Sequence, residues 1–318
     1  MLILSLCVLV SLAFGARFVS FSEVLSTLIH AKKETLSEIV VHERIPRTVF
    51  AILAGAALGV SGSLMQAITR NPIADPSILG VNTGASLFVV AGIAFFNIGT
   101  AGQYIGFALV GAAVTSVFVY GIGSMGGGAT PIKLALAGAA TSAALSSVVS
   151  AIILPRTEVM NAFRFWQVGS ISGATWEGIL TVLPYLVVGL IGGMLISPAL
   201  DVLALGDDVA TGLGVRTGIV RLIGAFAGVL LCGATTAIAG PIGFIGLMVP
   251  HAMRLICGPN LRLIIPMSAI GGAILLTISD VLGRVIGSPS ELEAGIVTAF
   301  LGAPILITIA MKAKARAL

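Results

Sequence analysis

Few residues in this chain carry a charge or a strong hydrogen-bonding group, so each such position is informative. Asp280 and Arg284 stand four apart, acid first, the order in which two side chains on one helix face neutralise each other. A carrier driven by an ion gradient wants instead an unpaired acid within the membrane. His251 follows Pro250 in Gly240-Pro-Ile-Gly-Phe-Ile-Gly246-Leu-Met-Val-Pro250-His251-Ala-Met-Arg254 and invites a metal or haem reading. No second ligand stands at helical spacing, so His251 reads as structural. Gln66 and Asn82 are amides in apolar surroundings, where an unsatisfied group is costly; hydrogen bonding between helices is expected of them before substrate contact. Cys7, Cys232 and Cys257 form no C-x-x-C and no metal-ligand spacing, and read as small buried hydrophobes. Gly121-Ile-Gly-Ser-Met-Gly-Gly-Gly128 lacks the lysine of a phosphate-binding loop and reads as a flexible loop. No nucleophile stands beside a base and no metal cluster is visible. The chain therefore reads as no enzyme, with no metal or cofactor of its own and no capacity to hydrolyse ATP.

The elements that hold these residues are membrane helices. Of 318 residues, 57% are hydrophobic and only 9% charged, and the mean hydropathy is +1.12. A soluble chain carries about 25% charged residues, so this one cannot cover its apolar side chains in water. Disorder and a disulfide-stapled secreted fold are excluded as well, and a net charge of +4 does not suggest nucleic acid. Charge-free runs cover 1–16, 48–69, 76–132, 134–155, 178–200, 222–253, 263–279 and 294–311. Crossing about 30 Å of hydrocarbon takes roughly 20 residues. The run 76–132 is broken at Asn97-Ile98-Gly99-Thr100 into helices near 78–96 and 104–123, and 222–253 is broken at Gly240-Pro241 into 218–239 and 241–257. The expectation is an all-α polytopic protein of about ten spans, with residues 1–16 as the first membrane helix in place of a cleaved signal, because no basic n-region precedes them.

Ten spans put both termini on the same side, and Lys312, Lys314 and Arg316 favour the cytoplasm. The remaining basic residues divide almost evenly, Arg70, Lys133, Arg216, Arg221, Arg254 and Arg262 inside against Arg17, Lys32, Lys33, Arg44, Arg47, Arg156, Arg164 and Arg284 outside. The outer basic residues therefore need a reason of their own. Sliding the chain by 169 residues aligns Arg47-Thr48, Leu53, Gly55-Ala56, Gly59-Val60 and Pro72-Ile73 with Arg216-Thr217, Leu222, Gly224-Ala225, Gly228-Val229 and Pro241-Ile242, nine identities in 27 positions without a gap. Five helices separate the two stretches, so they run in opposite directions: an inverted repeat, with halves near 44–175 and 213–311, as transporters use.

Two strings are specific. One is Arg44-Ile-Pro-Arg47 … Ser61-Gly62 … Gln66 … Arg70-Asn71-Pro72-Ile-Ala-Asp-Pro76-Ser-Ile-Leu-Gly80, in which Pro72 and Pro76 end one span and delay the next. The other is the Pro250-His251 segment with Asp280, Arg284 and Glu291-Leu-Glu-Ala-Gly295. Over essentially its whole length the chain resembles the permease family of ABC importers for ferric siderophores, haem and cobalamin, the type II importers. One departure is Glu293, which stands where the family usually has proline in the turn entering the last helix.

The resemblance implies roles residue by residue. Arg44, Arg47 and Arg284 would face outward and receive acidic residues of a substrate-binding protein. Leu203-Ala-Leu205-Gly206-Asp207-Asp208-Val-Ala210-Thr-Gly212-Leu213-Gly214-Val215, within the loop 201–216, would form a short coupling helix seated on the ATPase subunit, with Leu205, Gly206, Asp207, Asp208, Ala210, Leu213 and Gly214 as its signature. Asp207 or Asp208 suits its N-terminus and Gly212 or Gly214 its end. Gln66, Asn71, Pro72, Asn82, Pro250 and His251 are candidates for structure or for the translocation path. The implied partners are two ATPase subunits, which hold ATP and Mg, a second permease in a homo- or heterodimer, the binding protein and the bilayer of a bacterial cytoplasmic membrane. The implied cargo is an iron chelate, a ferric siderophore ahead of haem or cobalamin, carried by alternating access. The rival readings are an ion-gradient-driven secondary transporter and a purely structural subunit.

Overall fold

A computed structural model describes residues 2–30, 35–126 and 130–315, with the side chains of Pro131, Phe165 and 309–315 left aside. Among the described residues all regular structure is helical: α1 Leu2–Ala13, α2 Phe21–His30, α3 Leu36–Thr69, α4 Val81–Phe96, α5 Ala101–Ser124, α6 Pro131–Ile153, α7 Thr157–Gln167, α8 Trp176–Leu203, α9 Asp207–Gly212, α10 Thr217–Ala239, α11 Ile245–Cys257, α12 Leu261–Ile286 and α13 Ala294–Ala315, with a 3-10 turn at Pro76–Leu79. Each of the ten expected spans falls on one of these helices. Six of them, α3, α5, α6, α8, α10 and α12, are long and apolar enough to cross a bilayer. The first expected span is shortened to the 12 residues of α1, about 18 Å at 1.5 Å per residue. The short α2, α7 and α9 were not expected as spans and are not long enough to be any.

The axis of the molecule is α3, 34 residues and about 51 Å long. Thr35 caps it reciprocally with Glu38, so its first orphan amides are satisfied. It continues through Pro46 and ends at Arg70, whose backbone turns left-handed at φ 48°. Asn71 then closes an Asx turn on the amide of Ile73, and Pro72 forbids further helix. The chain bends back so that Asp75 caps the 3-10 turn at Ser77 before α4 begins. α12 lies antiparallel against α3, Arg47 level with Asp280 and Gly55 with Gly272. A methyl group on either of these glycines would run into the other's carbonyl, so the two backbones touch. Gly62 makes a like approach to Gly246 of α11. α10 also runs antiparallel to α3: Ser61 donates to the Gly228 carbonyl at 2.6 Å, and Gly224 packs on Ile68.

The core is accordingly made of α3, α10 and α12, with α4, α5, α8 and α11 around them. α2 is amphipathic and begins with its own cap, in which the Ser20 hydroxyl and amide bind Glu23 and hold its carboxyl below the usual range. The glycine run at 121–128 divides: Gly121 and Gly123 belong to α5, which corrects the reading of the whole run as loop, whereas Gly127 and Gly128 lie outside the described residues. Lys32, Lys33 and Arg316 also lie outside them, as do the side chains of Lys312 and Lys314. Cys7 and Cys232 are buried, while Cys257 at the end of α11 is half-buried.

Candidate functional site

Charged residues gather at the two ends of α3. Arg47 and Arg70 are 23 positions apart on that helix, about 35 Å, and 48–69 between them holds no charge. One cluster therefore stands on either side of a span of hydrocarbon thickness.

At the Arg47 end, Asp280 is the hub. Its carboxylate accepts from Arg47 Nη2 at 2.7 Å and Nε at 3.0 Å, and it pairs with Arg284 at 3.0 Å one turn along α12. Arg47 also reaches Glu291 at 2.7 Å. The expected pairing of Asp280 with Arg284 is present and is reinforced by a second arginine from α3. The guanidinium groups are engaged within the chain: Arg284 is only 2% exposed, and Arg44 and Arg47 are largely enclosed. Arg44 donates to the carbonyls of Leu12, Ala13 and Arg17, and Arg284 to those of Ser11 and Phe14 and to the Ser11 hydroxyl. Apart from that of Arg17, which lies in the following turn, these carbonyls stand at the C-terminal end of α1, where cations are favoured. Gly15 leaves room for both groups, since a Cβ there would strike the Arg44 guanidinium and crowd that of Arg284. Exposed Arg17 and half-exposed Glu291 remain at this surface.

At the Arg70 end, α9 projects between α8 and α10. Gly206, at φ 115°, is its N-cap, which corrects the assignment of that position to an aspartate. Asp207 and Asp208 occupy the first turn, where carboxylates suit the helix dipole. The helix ends at Leu213, and Gly214 follows at φ 83°, as the glycine signal allowed. Ala210 is buried and holds α9 to the body, whereas Leu205 and Leu213 are both 63% exposed and Val209 is 49% exposed. Asp208 is exposed beside them. Asp207 points the other way, into ion pairs with Arg70 at 2.6 Å and Arg221 at 2.9 Å. Sequence reasoning missed Arg221: nothing in the residues around it marks an arginine one turn into α10 as a partner of a loop aspartate.

The remaining candidates bond between helices. Pro250 is buried inside α11 and supplies no amide to the Gly246 carbonyl four residues back, which is met instead by Gln66 Nε2 at 3.2 Å. Gln66 Oε1 in turn accepts from Arg254 at 3.3 Å. Asn82 of α4 accepts from Thr236 of α10 at 3.1 Å. Asn71 and Pro72 shape the end of α3, as described above. His251 borders an apolar recess with Met248, Met253, Gly271, Leu275 and Ile305, and its buried Nδ1 meets no hydrogen-bonding group among the described residues. No group of three or more His, Cys, Asp or Glu among the described residues is placed to hold a metal.

The FecCD transport family model matches residues 3–312. The ferric enterobactin transport system permease protein FepD of Escherichia coli (strain K12) is 43% identical over 309 residues, 96% of this chain and 92% of that protein. The Fe(3+)-citrate import system permease protein YfmD of Bacillus subtilis (strain 168) is 42% identical, over 96% of this chain and 90% of that protein. A solved structure described as an inward-facing conformation of a metal-chelate type ABC transporter superposes with a TM-score of 0.85 at 26% identity, covering 98% of this chain and 96% of that one. With the helical bundle, its two charged ends and these matches over nearly its full length, the chain belongs to the FecCD transport family and is a membrane permease subunit of an ABC importer, not an enzyme.

Proposed function

We propose that this chain carries an iron chelate, a ferric siderophore ahead of haem or cobalamin, across a bacterial cytoplasmic membrane. It spans that membrane ten times, with both termini inside. The single observation that carries the coupling half of the reading is α9: a short helix that, with the flanking Leu205 and Leu213, shows these leucines and Val209 to solvent while its other side is tied to the bundle. An apolar, exposed face at an aqueous end suits a soluble partner, and we assign it to an ATPase subunit. Two ATPases binding ATP and Mg would move the α9 helices of two permease subunits, identical or related, and so change the side to which the path opens. The names of the relatives, which refer to enterobactin and to iron citrate, support the cargo. The antiparallel packing of α3 on α10 supports the inverted repeat.

A substrate-binding protein would meet the opposite end, around Arg44, Arg47 and Arg284. Within the enclosed cluster three arginines meet two carboxylates, Asp280 and Glu291, and we assign this end to acidic residues of the partner. The path itself is assigned to the uncovered face of α6, where Ala139, Ala143, Ser146, Ser147 and Ser150 stand exposed. Small and hydroxylated side chains suit a polar cargo and a facing subunit better than lipid.

Uptake is the test. In vesicles containing this permease with its ATPase and binding protein, import should require ATP on the ATPase side and persist when a protonophore collapses the proton gradient. Import that ignores ATP and stops with the protonophore would overturn the reading in favour of a secondary transporter. The pairing of Asp280 with two arginines already argues against that alternative, since this buried acid is not free to carry an ion.

A further inference from the structure

The coupling reading leaves open how a push on α9 would reach the membrane core. The contacts of α9 with the bundle are modest, with Ala210 as its buried anchor. Asp207, by contrast, is held from two sides. Arg70 Nη2 lies 2.6 Å from Asp207 Oδ1, and Arg221 forms a fork to both oxygens, Nη2 to Oδ1 at 2.9 Å and Nη1 to Oδ2 at 3.0 Å. A fork of this kind fixes direction as well as distance.

The two arginines stand on the helices that form the centre of the molecule. Arg70 is the last residue of the α3 cap and Arg221 lies one turn into α10. Arg221 is buried, and its Nε also donates to the Ile68 carbonyl at 3.3 Å, one of the orphan carbonyls at the end of α3. Beyond Arg221, Gly224 and Gly228 continue the same face of α10, packed against Ile68 and Met65, and Ser61 bonds to the Gly228 carbonyl. α3 and α10 therefore meet along closely packed backbone and move together. Arg70 keeps a left-handed backbone at φ 48° where glycine is the residue without strain. The Arg70 side chain at this position reaches the carboxylate of α9.

From this geometry we propose that the Asp207–Arg70–Arg221 cluster is the link that transmits displacement of α9 to the α3–α10 pair, with Asp207 and Arg221 as positioning residues. The link rests on the reading of α9 as the coupling helix. It adds that the outer face of α9 holds the ATPase while the inner carboxylate carries the movement. Asp207 is 42% exposed, so water can reach the carboxylate end of the pair, but Arg221 is buried, and the yield of assembled complex is therefore measured for each variant beside its uptake.

The experiment uses the permease assembled with its ATPase and binding protein in proteoliposomes, with ATP hydrolysis and uptake read from the same vesicles. Asp207→Ala should retain the ATPase but lower uptake per ATP hydrolysed by about tenfold, within the usual range for coupling between sites. Asp207→Glu should restore most of it. Arg221→Gln should lower the ratio similarly, and combining it with Asp207→Ala should add little, since both remove one interaction. An unchanged ratio in Asp207→Ala, or fully additive losses, would overturn the link. Release of the ATPase by Asp207→Ala would also overturn it, by showing that the carboxylate belongs to the partner's interface. Val209→Asp tests the underlying reading separately: it should prevent ATPase binding, and a normally assembled, transporting complex would overturn the coupling assignment itself.

Discussion

Asp280 shows how a charge is kept in an apolar bundle. It is 1% exposed, yet Arg47 and Arg284 both reach it, and the surplus positive charge is spread onto Glu291 and the carbonyls that end α1. Such a cluster is weak evidence of net stabilisation but strong evidence of interdependence, because removing one partner leaves the others buried and unpaired. Asp280→Ala is expected to destabilise the protein by about 3–5 kcal/mol, seen as an earlier unfolding midpoint in mixed detergent and SDS. A loss within experimental error would mean that Arg47 and Arg284 have water or lipid headgroups to turn to. The acid-first spacing made the Asp280–Arg284 pair legible. Arg47, 233 positions away from Asp280, was not legible as its second partner. The same limit hid the use of Arg44 and Arg284 on α1, because backbone carbonyls leave no mark in a sequence.

Most helix positions were legible to within a few residues, since charge-free length and proline breaks are local signals, but α3 starts at Leu36 rather than near 48 and α12 runs on to Ile286 rather than 279, where charged residues sit inside the helices. What closes the helices on one another is not local. The Gly55-x-x-x-Gly59 spacing marks a close helix approach in the sequence, but only the structure shows its partner, Gly55 against the Gly272 carbonyl and Gly59 against that of Ser268. Gly106 in α5, by contrast, has open space where a Cβ would stand. Gly272→Leu should therefore separate α3 from α12 and abolish recovery of folded protein on size-exclusion chromatography, while Gly106→Ala should behave as wild type. Equal recovery of the two variants would refute the claim that backbone contact holds this pair. The short α9 was visible as a loop with capping residues, but its orientation was not. Ala210 inward and Leu205, Val209 and Leu213 outward follow from where α8 ends and α10 begins.

At the scale of the whole molecule, the unevenly covered helices are the informative ones. α3 and α10 are mostly enclosed, whereas α6 is almost bare along its length. The exposed faces also differ in composition: α5 offers Val114, Val117 and Phe118, whereas α6 exposes Ile132, Leu136 and Val148 together with a run of alanine and serine at Ala139, Ala143, Ser146, Ser147 and Ser150. With Cys7, Cys232 and Cys257 replaced, single cysteines at Ser146 or Ser150 should react with a membrane-impermeant thiol reagent in the assembled transporter, and cysteines at Val117 or Phe118 should not. Reaction in the reverse pattern would move the path to α5. The hold of Arg284 on α1 has a further consequence, in time. Its bonds to Ser11 span 273 residues, so α1 is synthesised long before the guanidinium that closes its last turn. At about 5–20 residues per second, α1 waits roughly 15–55 s for that partner. During this interval its terminal carbonyls depend on water, headgroups or Arg44, and a chain stalled before α12 is complete would present an unfinished helix end for the quality-control machinery of the cell to find.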